Sequence, residues 1–207
     1  MHPLKLYPQL PWNKQIFLFG LDDVIYPKKD YDLQIYYLFT QLLEYTEGRA
    51  IGNDMLEFCK TQYEQTGVFD IFDPLQKAYN LPEKYRKAFH HTYTQGRLPL
   101  KLLLFKTVLE LLEALVEADK TIGLLIPGAV DVQWNKIKQT EWNGLDTKIK
   151  IFFYNELAEK FPGNPLGFVE DALGEKREAM QYIGRNALSW AQGLGLNYQD
   201  IEVYLNN

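Results

Sequence analysis

QIFLFGLDDVIYP, residues 15–27, is the stretch whose reading decides the fold. Ile16, Phe17, Leu18 and Phe19 form an apolar run between polar Gln15 and Gly20, the pattern of a short buried strand. Two carboxylates, Asp22 and Asp23, come next, followed by an apolar pair and a Tyr26-Pro27 turn. Carboxylates just past the end of a buried strand lie at the edge where open α/β sheets place their ligands. Turn carboxylates that bond backbone N–H groups would look the same in sequence.

Four further β-like runs lie at residues 121–126, 148–154, 180–183 and 201–205. Their spacing predicts right-handed β-α-β units and a parallel sheet. Between the first and second runs the chain reads as helix. Asp30 and Asp32 read as caps of a helix stopped by Gly48, and Asn53 as the cap of a second stopped by Gly67. Pro82 sits at the start of a third that ends at Gly96, and residues 101–118 read as a helix apolar enough to lie against a sheet. The sequence therefore predicts an α/β fold with a Rossmann-like parallel sheet core, residues 1–26 and 98–207. An all-helical cap, residues 27–97, is expected as an insertion after the first strand, hinged near residues 26–29 and 96–99.

Residues 16–27 resemble motif I of the haloacid dehalogenase-like (HAD) superfamily, in which a strand ends in D-x-D. The acidic, tyrosine-proline form and the helical insertion directly after it resemble the pyrimidine 5′-nucleotidase-like branch with a C1-type cap. The resemblance implies a phosphatase in which the first Asp attacks phosphorus and the second is the general acid/base. Here Gly20 stands at the nucleophile position and Asp22 at the acid/base position, with Asp23 beside it. Treating Asp22 as the nucleophile puts Val24 where the acid belongs. The other D-x-D, Asp30-Tyr31-Asp32, follows no strand.

The later motifs depart from the superfamily in the same direction. The phosphate-binding hydroxyl of motif II corresponds to Ile126, which cannot donate a hydrogen bond, and Pro127 after it lacks an N–H. The motif III lysine has only a displaced counterpart in Lys160, for which a solvated surface role is the plainer reading. In motif IV the glycine is Gly184, but Arg185 stands at the metal-binding Asp and Ser189 at the Asp that follows. A permanent positive charge there repels Mg²⁺. The resemblance thus implies a phosphatase frame with no catalytic residues, no metal site and no expected cofactor, although Mg²⁺ serves the active relatives. The vestigial pocket would comprise Gly20, Asp22, Asp23, Ile126, Pro127, Lys160, Arg185 and Ser189. An Asp22–Arg185 ion pair filling it is expected, with Arg185 the alternative seat for a small anionic ligand. A binding or interaction role follows from this reading. The alternative is a divergent phosphomonoesterase acting on a small phosphorylated metabolite through Asp22.

Composition narrows the partners. The chain has 207 residues and a net charge of −5, which argues against a nucleic-acid-binding surface. No run of about 18 apolar residues is present to span a membrane, and the proline-rich start does not read as a signal peptide. Cys59 is the only cysteine, so no internal disulfide or cysteine-rich metal site can form, and a reducing cytoplasm is expected. His90 and His91 are helical neighbours about 100° apart, a poor chelating pair. No phosphate-binding glycine loop or nucleophile elbow occurs. Tyr36, Tyr37, Trp134 and Trp142 are candidates for exposed aromatics on a protein-partner or homo-oligomer surface.

Overall fold

The computed structural model describes residues 7–205. Five strands, β1 (Ile16–Phe19), β2 (Thr121–Ile126), β3 (Ile149–Phe153), β4 (Met180–Gly184) and β5 (Asn197–Asp200), form one sheet in the order β3-β2-β1-β4-β5. Every pairing in it is parallel, and register runs Phe19 to Leu124 on one side and Phe19 to Ile183 on the other. All four residues of β1 are fully buried. This is what a central parallel strand covered on both faces requires, and it explains the unbroken apolar run. Ile16 and Leu18 face a core with Leu125, Phe152, Leu166, Val169 and Met180. The alternation of a strand sends Phe17 and Phe19 to the opposite face.

The described residues divide into two compact units. One comprises residues up to Pro27, Leu103–Gln133 and from Thr140 onward, and holds the sheet. The other comprises Lys28–Leu102 and Trp134–Gln139, and is helical. Its main helices are α1 (Lys28–Glu47), α2 (Gly52–Thr66), α3 (Phe72–Tyr79) and α4 (Lys84–Gln95). The sheet unit carries α5 (Lys106–Glu117) before β2, and α6 (Val130–Gln139) begins there after β2. Then come α7 (Tyr154–Lys160), α8 (Pro165–Leu173), α9 (Leu188–Gly193) and the single turn α10 (Glu202–Leu205). No helix among the described residues is long and apolar enough to cross a membrane.

Several local expectations are overturned. The fifth strand is Asn197–Asp200 and not residues 201–205, which turn into α10. NYQD carries no apolar signal because an edge strand is held by its backbone ladder to β4. Asp30 and Asp32 lie inside α1, not at its cap, since the helix starts directly after Pro27. Asp32 is fully buried and pairs with Lys28 one turn earlier. Asn53 also lies inside its helix: α2 starts at Gly52, whose N–H is taken by the Glu44 carboxylate of α1 at 2.7 Å. Gly67 does stop α2, in the left-handed conformation at φ 65°. Residues 101–105 are not helical, and α5 starts only at Lys106. Tyr36 and Trp142 are buried and not surface aromatics, whereas Tyr37 and Trp134 are exposed.

The helical unit is packed around aromatics. Phe89 on α4 is fully buried among the rings of Tyr36 and Phe39 from α1, Phe69, and Phe72 from α3. Cys59 on α2 lies in the same core, where burial pushes its thiol up to about 12. It is a structural side chain, neutral at physiological pH.

Candidate functional site

The chain leaves β1 for β2 on one side and returns to β4 on the other, so the strand order reverses around β1. Crevices outside the carboxyl ends of strands at such a reversal are the ligand sites of open α/β sheets. A cavity of about 290 Å³ lies there, entirely within the sheet unit. Gly20, Leu21, Asp22 and Val24 line it from the end of β1, and Ile126 and Pro127 from the end of β2. Arg185, Asn186 and Ala187 line it after β4, with Tyr182, Trp190 and Gln133 completing the wall.

Gly20 is closely surrounded. A Cβ at this position would sit 3.0 Å from the Tyr182 hydroxyl and 3.2 Å from Val24 Cγ2. Gly184 makes the same allowance on β4, where a Cβ would lie 2.7 Å from Tyr182 Cε1. Two glycines thus stand against one phenol ring, whose hydroxyl comes close to where a Cβ at position 20 would sit. Tyr182 meets Trp190 edge-on at 5.1 Å between centroids and stacks with Tyr198 at 6.4 Å. Burial holds its phenol well above the ordinary value, so the hydroxyl stays protonated.

The loop after β1 is a tight turn. Asp23 adopts a left-handed conformation at φ 56°, and its N–H donates to the Tyr26 carbonyl at 3.0 Å. The Tyr26 hydroxyl donates to Asp22 Oδ1 at 3.2 Å. The expected Asp22–Arg185 ion pair does not form. Arg185 Nη2 lies instead 3.8 Å from Glu202 Oε1, because the turn from the end of β5 into α10 brings Asp200 and Glu202 to the loop after β4.

Asp200 organises this loop. Its Oδ2 accepts the Asn186 N–H at 3.0 Å and the Tyr198 hydroxyl at 2.6 Å, and its Oδ1 accepts the Glu202 N–H at 3.0 Å. Burial by itself would raise this carboxyl. The bonds from Tyr198, Glu202 and Asn186, with the charge of Arg185, outweigh it and hold Asp200 below the usual range. The partner phenol of Tyr198 is pushed up to about 12, by burial first and then by its bond to Asp200. A depressed folded-state pKa stabilises above the unfolded value of about 3.9, and the contribution disappears as pH falls through the folded value. Asp200→Asn is therefore expected to cost on the order of 1 kcal/mol at pH 7. The gap from the parent should shrink in melts below about pH 4; a gap independent of pH would contradict the assignment.

Five of the residues anticipated from sequence come together in the cavity wall: Gly20, Asp22, Ile126, Pro127 and Arg185. Three are not in the lining. Asp23 turns back into its own loop, and Ser189 is exposed on α9. Lys160 ends α7 on the surface, where its Nζ meets Glu156 Oε1 at 2.6 Å one turn away. Tyr182, Gln133, Trp190 and Val24 were missed. The available signal was an aromatic residue between two strand positions and directly before Ile183-Gly184, which leaves space beside it.

A magnesium ion of the kind the fold suggests does not fit these residues. Among the described residues no three His, Cys, Asp or Glu side chains gather in a metal-holding group. The lining supplies one carboxylate, Asp22, and a guanidinium, whereas Mg²⁺ needs converging oxygen donors.

No protein-family profile matches the sequence, and no curated protein matches it. Solved structures do. A HAD-hydrolase from Bacillus subtilis, YfnB, solved bound to magnesium, superposes with a TM-score of 0.56 at 17% identity, covering 90% of this chain and 87% of that one. The fold is that of the HAD-like hydrolases. An L-2-haloacid dehalogenase matches with a TM-score of 0.54 at 13% identity, covering 90% and 85%. A haloacid dehalogenase-like hydrolase from Xanthomonas campestris matches with a TM-score of 0.50 at 14% identity, covering 90% and 80%. At these identities the likeness concerns the HAD-like fold, an α/β parallel sheet flanked by helices.

Proposed function

We propose that this chain is a HAD-fold protein that carries out no aspartyl phosphoryl transfer and acts by binding at the cavity beside Gly20. The observation that carries the reading is the Tyr182 hydroxyl, 3.0 Å from where a Cβ at position 20 would be. A glycine stands at the nucleophile position, and even a Cβ there would press on the Tyr182 hydroxyl. Phosphoryl transfer also needs cationic charge around the equatorial oxygens. Here Ile126 offers no hydroxyl, Lys160 is engaged on the surface, and Arg185 shares its charge with Glu202. The Asp-Asp and Tyr-Pro form of the β1 loop supports descent near the pyrimidine 5′-nucleotidase branch. A single buried thiol suits a reducing, cytoplasmic setting.

The test is turnover of p-nitrophenyl phosphate by the full chain with Mg²⁺, alongside Asp22→Ala. The expected outcome is no turnover above buffer for either protein. Magnesium-dependent turnover that disappears in Asp22→Ala would overturn the reading in favour of a phosphomonoesterase using Asp22.

A further inference from the structure

Three polar groups in the cavity wall are left without partners. Gln133 is 8% exposed; its Nε2 donates to the Pro127 carbonyl at 3.2 Å, while its Oε1 accepts nothing. Arg185 Nε is likewise buried without an acceptor. The Tyr182 phenol, 3% exposed, reaches the cavity and takes no hydrogen bond from the described residues. Buried polar groups are overwhelmingly paired in folded proteins, so the two closed-off orphans, Gln133 Oε1 and Arg185 Nε, beside the cavity-facing Tyr182 hydroxyl need an explanation. Together they offer one acceptor, one donor and one hydroxyl able to do both.

The remaining wall decides the body and charge of an occupant. The rings of Tyr182 and Trp190, with Val24 and Ile126, form an apolar lining suited to a flat molecule. The wall itself carries one charge of each sign, Arg185 and Asp22, and Arg185 also has Glu202 and Asp200 close by. An anion would meet Asp22, and a cation would meet Arg185. We infer that the cavity binds an uncharged planar amide, a carboxamide on a ring or an amide within one. Its N–H groups pair with Gln133 Oε1, and its carbonyl pairs with Arg185 Nε and the Tyr182 hydroxyl. Gln133 Oε1 and Arg185 Nε are closed to solvent here, so binding turns these side chains towards the cavity. The terminal torsion of a glutamine is broad enough to allow this. The inference rests on the proposed binding role and gives that role a ligand class.

The test uses the full chain and four probes, followed by NMR through the Trp190 indole N–H, assigned with Trp190→Phe. The probes are benzamide, its charged isosteres benzoate and benzamidine, and inorganic phosphate. Benzamide is expected to shift that signal saturably and to bind at least about tenfold tighter than either isostere, because each isostere leaves a charge badly matched. Gln133→Leu and the more conservative Tyr182→Phe should each weaken benzamide by about fivefold or more while the thermal melt stays cooperative. Equal or tighter binding of benzoate, benzamidine or phosphate overturns the ligand class. So does the absence of benzamide binding, or benzamide binding indifferent to Tyr182→Phe. Each of these failures, with no phosphatase turnover, leaves the proposed function standing; turnover sinks that reading separately.

Discussion

Gly20→Asp, which puts a carboxylate directly after β1, is expected to lower stability by about 1–3 kcal/mol or more and to produce no phosphatase. The Cβ alone would press on the Tyr182 hydroxyl and Val24 Cγ2. Beyond it, the carboxylate would be driven into the space the phenol fills, where a charge without a partner costs more. Gly20 lacks the positive φ that would strain any side chain, so the expected loss is steric and local. A double-mutant cycle checks this. Gly20→Ala should cost less in a Tyr182→Phe background, because the nearest obstructing atom is gone, and denaturant melts of the four proteins read the difference. Equal costs in both backgrounds would show that Tyr182 is not the obstruction.

The second large effect lies in the helical unit. Phe89→Ala is expected to cost about 3–5 kcal/mol, the range for deleting a large buried aromatic side chain. Phe89 meets Phe39 edge-on at 5.1 Å and stacks with Phe69 at 5.4 Å, so its loss opens a cavity shared by α1, α3 and α4. Urea melts followed by far-ultraviolet circular dichroism and by tryptophan fluorescence should show an early helical transition. Three of the four tryptophans, Trp12, Trp142 and Trp190, lie in the sheet unit, and Trp134 is the one in the helical unit. A parent-like helical midpoint in Phe89→Ala would contradict the packing account.

The core of the fold was legible because burial leaves a mark on sequence. IFLF throughout and TIGLLI beyond Thr121 carry no polar side chain, as strands covered on both faces require. The edge strand Asn197–Asp200 was not legible, since its side chains are half-wet and its order comes from backbone pairing to β4. Helix starts were misplaced where the cap comes from elsewhere. Glu44 takes the first N–H of α2 from a neighbouring helix, and no local pattern announces that. At the site, Gly20, Ile126 and Arg185 could be placed from sequence at the strand ends that line the cavity. The place of Tyr182 could not, because its approach to Gly20 comes from the register of Leu18 with Tyr182 on adjacent strands. Arg185 was likewise assigned to Asp22 when the nearer carboxylate is Glu202, which becomes a neighbour only once α10 turns back from β5.

The most direct measurement of the central claim is a crystal structure of the chain soaked with Mg²⁺ and beryllofluoride, the mimic of a phosphorylated aspartate. The account predicts the Tyr182 hydroxyl beside the Gly20 Cα, with neither metal nor fluoride at the end of β1. A cation held by Asp22 with beryllofluoride bonded to a carboxylate of this loop would contradict it.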